Sequence, residues 1–271
     1  HSFEELKRYK DIPNMMWSQF IDDTEGMTDF FIHKGTIVYQ MTMKYSDTQH
    51  GVIADDWKYI SPENKPPENI ITWVQANMNG YTGVCNVQYR GTKIIEVGLR
   101  FSRGGAYLLT TKNHELIKAV NDLCENETWD YSNTKDFSFV PFYSFKCYTD
   151  SPIVYLYPQY LLDFIMKYNG CLDFYEWYFE PSGKTGMVFL QYLHEDYDKG
   201  MTLKNNIEIV FTITQYVVFL LILSSIISLA FNYKYKNQIL IALLFVVISR
   251  FLNAIVSNYN LFNAQKQSFL H

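Results

Sequence analysis

The segment Gly80–Gly105 (GYTGVCNVQYRGTKIIEVGLRFSRGG) concentrates the side chains best suited to chemistry. It reads as a hairpin of two strands, Val84–Arg90 and Ile94–Arg100, joined at Gly91-Thr92. Strand alternation puts Asn86, Gln88 and Arg90 on one face of the first strand, with Cys85, Val87 and Tyr89 opposite. On the second strand Glu96, Gly98 and Arg100 share a face, with Ile95, Val97 and Leu99 behind. The turn decides whether the two polar faces coincide. A two-residue loop pairs Arg90 with Lys93 and sets Gln88 against Ile95. A three-residue loop, Gly91–Lys93, pairs Arg90 with Ile94, so that Gln88 opposes Glu96 and Asn86 opposes Gly98. In the second register one carboxylate and neighbouring amide oxygens face a groove. That donor set suits Mg²⁺ carried by phosphates, because this ion takes few protein oxygens and keeps the rest of its shell as phosphate and water. A solvated sheet face with an incidental Glu is the other reading of the same pattern.

The elements that must hold this hairpin are strands and two helices. Asn14–Ile21 and Met27–Ile32 read as short strands around an acidic turn, Asp22-Asp23-Thr24-Glu25. His33-Lys34-Gly35 is a hairpin signal, and Thr36–Met43 is the return strand. Gln49–Asn64 reads as loop. Pro66-Pro67-Glu68 opens a helix with Ile70, Ile71, Val74 and Met78 on one face, stopped by Asn79-Gly80. A second helix runs from about Asn113, with Leu116, Ile117, Val120 and Leu123 at helical spacing. The fold class is therefore α+β with antiparallel hairpins. Residues 1–125 form one lobe and 126–205 an aromatic-rich region whose strand-like and helical runs do not assemble from pattern alone. Gly183–Gly186 (GKTG) lacks the spacing of a P-loop and reads as a turn. His33 and His194 read as solvated turn residues. Cys85, Cys124, Cys147 and Cys171 are widely spaced without metal-ligand pairing and read as thiols in a reducing compartment.

With 28 Asp and Glu against 23 Lys and Arg, the formal charge is −5, which argues against a nucleic-acid partner. Apolar residues are distributed unevenly. From Ile209 to Ala230 no charged residue occurs, and a membrane-spanning helix needs about 20 such positions. The sequence predicts a transmembrane hairpin within 206–263, with arms Ile207–Phe231 and Ile239–Phe262 and a tail at 264–271. A re-entrant second segment is the alternative. If the link Asn232–Gln238 is tight, Arg250 lies near Phe219 and Tyr216, and Asn253 near Tyr216 and Gln215. Arg250 needs such partners, since a mid-membrane Arg costs ~2.5–3.5 kcal/mol. Lys234 and Lys236 on one side and Lys199, Lys204 and Lys266 on the other leave orientation undecided. The N-terminal HSFEELKRYK has no apolar run of the signal-peptide kind.

Val84–Gly105 resembles the stretch of ATP-grasp enzymes that carries their E-x-N-x-R metal motif, most of all in the carbamoyl-phosphate synthetase branch, where an N-V-Q strand precedes it. The resemblance spans about residues 14–123 and implies an ATP-grasp-like sheet with ATP and Mg²⁺ as cofactors. By that resemblance Gln88 and Glu96 hold magnesium and Arg100 contacts phosphate. Trp17–Glu25 is similar to the hinge that receives adenine, through backbone around Gln19 and Ile21, with Glu25 on the ribose hydroxyls. Gln49-His50-Gly51 resembles a nucleotide-proximal loop, which makes His50 a nucleotide contact. Gly98 stands where the family has Asn, and Ser18 where the hinge usually begins with an acid. The family's front lobe, with its lysines and glycine-rich loop, has no counterpart before Asn14. The resemblance implies a carboxylate–amine or carboxylate–thiol ligase acting through an acyl phosphate on a carboxylate substrate. The front lobe would then come from upstream or another chain, and the ATP side of the membrane would be cytosolic. A non-catalytic membrane protein keeping a degenerate half-domain is the alternative.

Overall fold

The computed structural model describes residues 21–47, 56–102, 111–131, 134–149, 159–172, 175–176, 180–181, 187–230, 234–235 and 237–242, with the single residues 7, 13 and 244. The expected strand before Ile21, Gln49-His50-Gly51, and Arg250 with Asn253 lie outside them. The described chain folds as two compact units, one holding residues 1–148 and 169–204, the other 149–168 and 205–271.

The first unit is built on one sheet. Its strands are β1 (Glu25–His33), β2 (Thr36–Tyr45), β3 (Trp57–Ser61), β4 (Gly83–Arg90), β5 (Lys93–Gly98), β6 (Phe142–Thr149), β7 (Tyr175–Glu176), β8 (Glu180–Pro181) and β9 (Met187–His194). Their order is β5-β4-β1-β2-β3-β6-β9-β7, with β8 also on β9. The pairings of β1 with β2 and β4, of β2 with β3, β3 with β6, and β4 with β5 are antiparallel, as the α+β reading requires. The aromatic-rich region thus supplies β6–β9 to the same sheet. The acidic turn is shorter than expected, because Glu25 already belongs to β1 and pairs with Arg90.

The β1–β2 turn is Lys34-Gly35, both at positive φ (49° and 83°), the primed geometry that matches strand twist. A Cβ on Gly35 would lie 2.8 Å from the Gly80 backbone nitrogen, so glycine is required there. Strand β3 corrects the expected loop over Gln49–Asn64. Its alternation of Trp57 and Tyr59 with Lys58 and Ile60 is a strand pattern only five residues long. It is stabilised by Tyr59 stacked on Tyr143 of β6, with ring centroids 4.5 Å apart.

Each face of β1 and β4 is covered by one helix. Helix α1 (Glu68–Asn77) buries Ile70 and Val74 against Phe30, Ile32, Cys85, Val87 and Tyr89. Helix α2 (His114–Asn126) buries Leu116, Ala119, Val120 and Leu123 against Met27, Phe31 and Val84. Asn113 caps α2 through Leu116 N–H at 2.9 Å, and Glu127 ends it in the left-handed region. No disulfide joins the four cysteines. Burial, with Asp29 nearby, pushes the Cys85 thiol up to about 11, which keeps it protonated and unreactive. A maleimide should therefore label exposed Cys124 in the native protein, and reach buried Cys85 and Cys147 only after unfolding, as peptide mass mapping will read.

His194 departs from expectation. It is buried at the end of β9, where Nδ1 accepts the Asp196 N–H (2.9 Å), so Nε2–H donates to the Asn169 carbonyl (3.3 Å). His33 bonds the Glu127 carbonyl through Nε2 at 3.1 Å.

Helix α4 (Tyr197–Ala230) begins ten residues before the expected first arm, for a capping reason. Asp196 Oδ1 accepts Lys199 N–H at 3.0 Å, which also holds the Asp196 carboxyl below its usual range. Its first turns pack into the first unit through Gly200 on the Phe145 ring, buried Leu203, and Lys204 on Asp56 at 3.4 Å. In the second unit, α4 joins α3 (Gln159–Tyr168). Among the described residues α4 is the one helix long and apolar enough to cross a membrane, over Tyr197–Ile227. Ile209, Ile213, Leu220 and Leu221 on it are each more than half exposed. Gln215 is fully buried, and neither amide atom finds a hydrogen bond among the described residues. Of the expected second arm only Ile239–Ala242 and Leu244 are among the described residues, and the rest of it lies outside them.

Candidate magnesium–phosphate site

The β4–β5 hairpin combines both registers that its sequence left open. The turn has two residues: Arg90 pairs with Lys93 and Tyr89 with Ile94. A bulge then gives β5 one extra residue, Ile95, and from there Gln88 opposes Glu96 and Asn86 opposes Gly98. Packing fixes both ends of this arrangement. Gly91 (φ +52°) donates its N–H to the Thr24 carbonyl at 2.9 Å, and a Cβ there would overlap the Asp23 carboxylate. Tyr89 lies over Gly26, where a Cβ would come 2.5 Å from its ring, and reaches Thr28 Oγ1 at 3.3 Å. With Tyr89 and its partner Ile94 committed to the α1 face, the extra residue is what returns Glu96 to the face of Gln88.

On that face the β1–β4 register sets Glu25 against Arg90, Met27 against Gln88 and Asp29 against Asn86. Glu25 is gripped on both oxygens. Oε2 accepts Arg90 Nε (3.2 Å) and Nη2 (3.0 Å), and Oε1 accepts Gln88 Nε2–H. Arg90 Nη1 continues to the Ile21 carbonyl at 3.2 Å. On the other side of Gln88, Arg100 Nη2 meets Glu96 Oε1 at 3.2 Å. Two carboxylate–arginine pairs therefore flank one amide, and they differ in burial. Glu25 and Arg90 are 12% and 15% exposed, whereas Glu96 and Arg100 are 55% and 58% exposed. An exposed pair contributes only about 0–1 kcal/mol, so Arg100 can leave Glu96 for a stronger anion at little cost.

Asp29 anchors the next segment. It is fully buried, and its carboxylate accepts Asn86 Nδ2–H (2.6 Å), Ser102 N–H (3.1 Å) and Ser102 Oγ–H (2.9 Å). Ser102, in the segment after β5, is thereby pinned to the centre of the sheet.

Of the sequence-predicted site residues, the structure gathers Ile21, Glu25, Gln88, Glu96 and Arg100 onto β1, β4, β5 and their margins. Gln19 and His50 lie outside the described residues. Arg90 and Asp29 were not singled out. Arg90 carried a signal in its shared face with Gln88, and Asp29 in being an acid within an apolar strand. Among the described residues no group of three or more His, Cys, Asp or Glu could hold a metal ion. The Gln88 amide oxygen and Glu96 carboxylate, opposite each other in register, fit a magnesium ion that arrives on phosphates and needs one or two protein oxygens. Gly98 adds no donor, and Asn86 across from it is buried and bonded to Asp29.

No protein-family model matches this sequence, and no curated protein matches it. Solved structures with similar folds include an L-amino acid ligase from Bacillus licheniformis, with a TM-score of 0.47 at 13% identity, over 70% of this chain and 53% of that one. The phosphoribosylaminoimidazole carboxylase ATPase subunit from Aquifex aeolicus gives a TM-score of 0.46 at 11% identity, over 71% of this chain and 57% of that one. Phosphoribosylglycinamide synthetase from Anaerococcus prevotii gives 0.38 at 10% identity, over 70% and 52%. The chain spans about half the length of these proteins. What the site can do follows from its own residues.

Proposed function

We propose that this chain is the magnesium- and nucleotide-binding lobe of a membrane-anchored, ATP-dependent ligase of the ATP-grasp type, joining a carboxylate to an amine or thiol. The observation that carries this reading is the bulged register that sets Gln88 beside Glu96, with Arg100 on the Glu96 carboxylate and Glu25 held against Gln88. Gln88 and Glu96 would hold the ion that accompanies the nucleotide. Bound Mg-ATP would supply a phosphoryl group that activates the substrate carboxylate as an acyl phosphate, which the nucleophile then attacks. Arg100 exchanges Glu96 for a phosphate oxygen and offsets the charge that accumulates there. Glu25 retains one acceptor position on Oε1 for a ribose hydroxyl, since a carboxylate offers about four lone-pair sites. By the resemblance, backbone near Ile21 and Gln19 would border the adenine, and His50 would complete the nucleotide contacts. A front lobe bearing phosphate-binding lysines, upstream or on another chain, is part of this proposal. The lipid bilayer holds α4 and a following second arm, with the sheet on the cytosolic side.

A second reading, a non-catalytic membrane protein with a degenerate site, is favoured by Gly98, which removes one metal oxygen. Hydroxylamine separates the two, because it converts acyl phosphates to hydroxamates. The ligase reading predicts hydroxamate that requires Mg-ATP, carboxylate substrates and the front lobe together; nucleotide binding without hydroxamate from any carboxylate would select the second reading.

Orientation is tested at Asn126-Glu127-Thr128, an intact sequon exposed at the end of α2. A cytosolic sheet predicts no glycan there in a secretory-competent eukaryotic host. A mass shift abolished by Asn126→Gln would put the sheet on the side without ATP. The chain should also resist alkaline extraction from membranes.

A further inference from the structure

The group that binds most of the site together is Arg90. It grips Glu25 Oε2 through Nε and Nη2 and the Ile21 carbonyl through Nη1, so one guanidinium spans strand β1 and the segment before it. The pair is largely buried, where a planar fork holds a carboxylate far more rigidly than a lysine ammonium does. Its other consequence is chemical. Glu25 lies against Gln88, and an uncompensated carboxylate beside that amide would compete with Glu96 for a divalent cation. Arg90 neutralises Glu25 and turns its free capacity, on Oε1, toward neutral hydroxyl donors.

We infer that Arg90 is a positioning residue that sets nucleoside specificity: it fixes Glu25 as a ribose-hydroxyl acceptor and withholds it from the metal. This rests on the Mg-nucleotide reading above. The fixed geometry makes a hydrogen bond to a charged acceptor available to ATP and denied to its 2′,3′-dideoxy analogue. The expected preference for ATP is about tenfold or more.

The experiment is calorimetric titration of Mg-ATP and Mg-2′,3′-dideoxy-ATP into the full chain in detergent, as wild type, Arg90→Lys and Arg90→Met. Wild type should prefer ATP. The preference should shrink toward unity in Arg90→Met and fall between the two in Arg90→Lys, which keeps the charge and loses the fork. A merely structural role would weaken both ligands alike and leave their ratio unchanged, so an unchanged ratio in the variants overturns the inference. If Arg90→Met does not fold, as a melting curve will report, Arg90→Lys carries the comparison. Equal binding of the two nucleotides by wild type overturns the role of Arg90 and leaves the magnesium–phosphate reading standing. No binding of either by wild type, with any front-lobe partner present, overturns both.

Discussion

Asp29→Ala is expected to destabilise the first unit by about 3 kcal/mol, the cost of breaking a buried hydrogen-bonded network around a charge. The reason is geometric. Asp29 is fully buried between β2 and β4, and truncation strands the Asn86 amide N–H together with the Ser102 backbone N–H and hydroxyl. Each buried donor left unpaired costs about 1–3 kcal/mol, partly relieved if water enters. Ser102→Ala should cost less, because the backbone N–H still reaches Asp29 and only the hydroxyl is lost. Thermal melting of the detergent-solubilised chain ranks the two. Equal melting temperatures for Asp29→Ala and wild type would mean that the network holds nothing in place.

Glu96→Ala should remove magnesium-dependent nucleotide binding, with at least a hundredfold loss of affinity, while leaving the melting temperature within a degree or two of wild type. The two halves of this expectation come from one observation. Glu96 is 55% exposed and its pair with Arg100 is solvated, so its contribution to the fold is about 0–1 kcal/mol. As the one carboxylate beside Gln88 that is not tied to Arg90, it carries the negative charge the ion needs. Losing a charged ligand costs about 3 kcal/mol, or a factor of about a hundred. A variant that binds as wild type does would make Glu96 the incidental acid of a solvated sheet face.

The antiparallel α+β architecture was legible because its signals are local. Lys34-Gly35 demands a tight turn, Ile70 and Val74 recur at helical spacing, and Asn113 announces α2. The site's polar face was legible from period two, but its register was not. The turn length and the alignment of Gln88 with Glu96 pointed to different loops, and the bulge at Ile95 satisfies both. That bulge follows from Tyr89 packing over Gly26, a contact between residues far apart in sequence. Strand β3 was missed because five residues are too few for alternation to stand out, and it is held by Tyr143, distant along the chain. The early start of α4 was missed because Tyr197–Lys204 is polar, whereas the apolar run that drew notice begins later. The aromatic-rich strands β6–β9 have partners that no local pattern names. Arg90 was visible as a residue on the right face, but its partners Glu25 and Ile21 come from another strand and a loop.

Whether this face binds a magnesium nucleotide is decided by titration of Mg-ATP into the full chain and into Gly98→Asn, with any front-lobe partner present. The substitution is sterically open: a Cβ on Gly98 would meet only the flexible Arg100 side chain, at 3.4 Å from Cγ, and the backbone there is not in the left-handed region. An asparagine would restore an oxygen beside Glu96. Saturable, magnesium-dependent binding is expected in wild type, with Gly98→Asn equal or tighter. Absence of binding in wild type, whether or not Gly98→Asn gains it, would contradict the claim that this face binds a magnesium nucleotide.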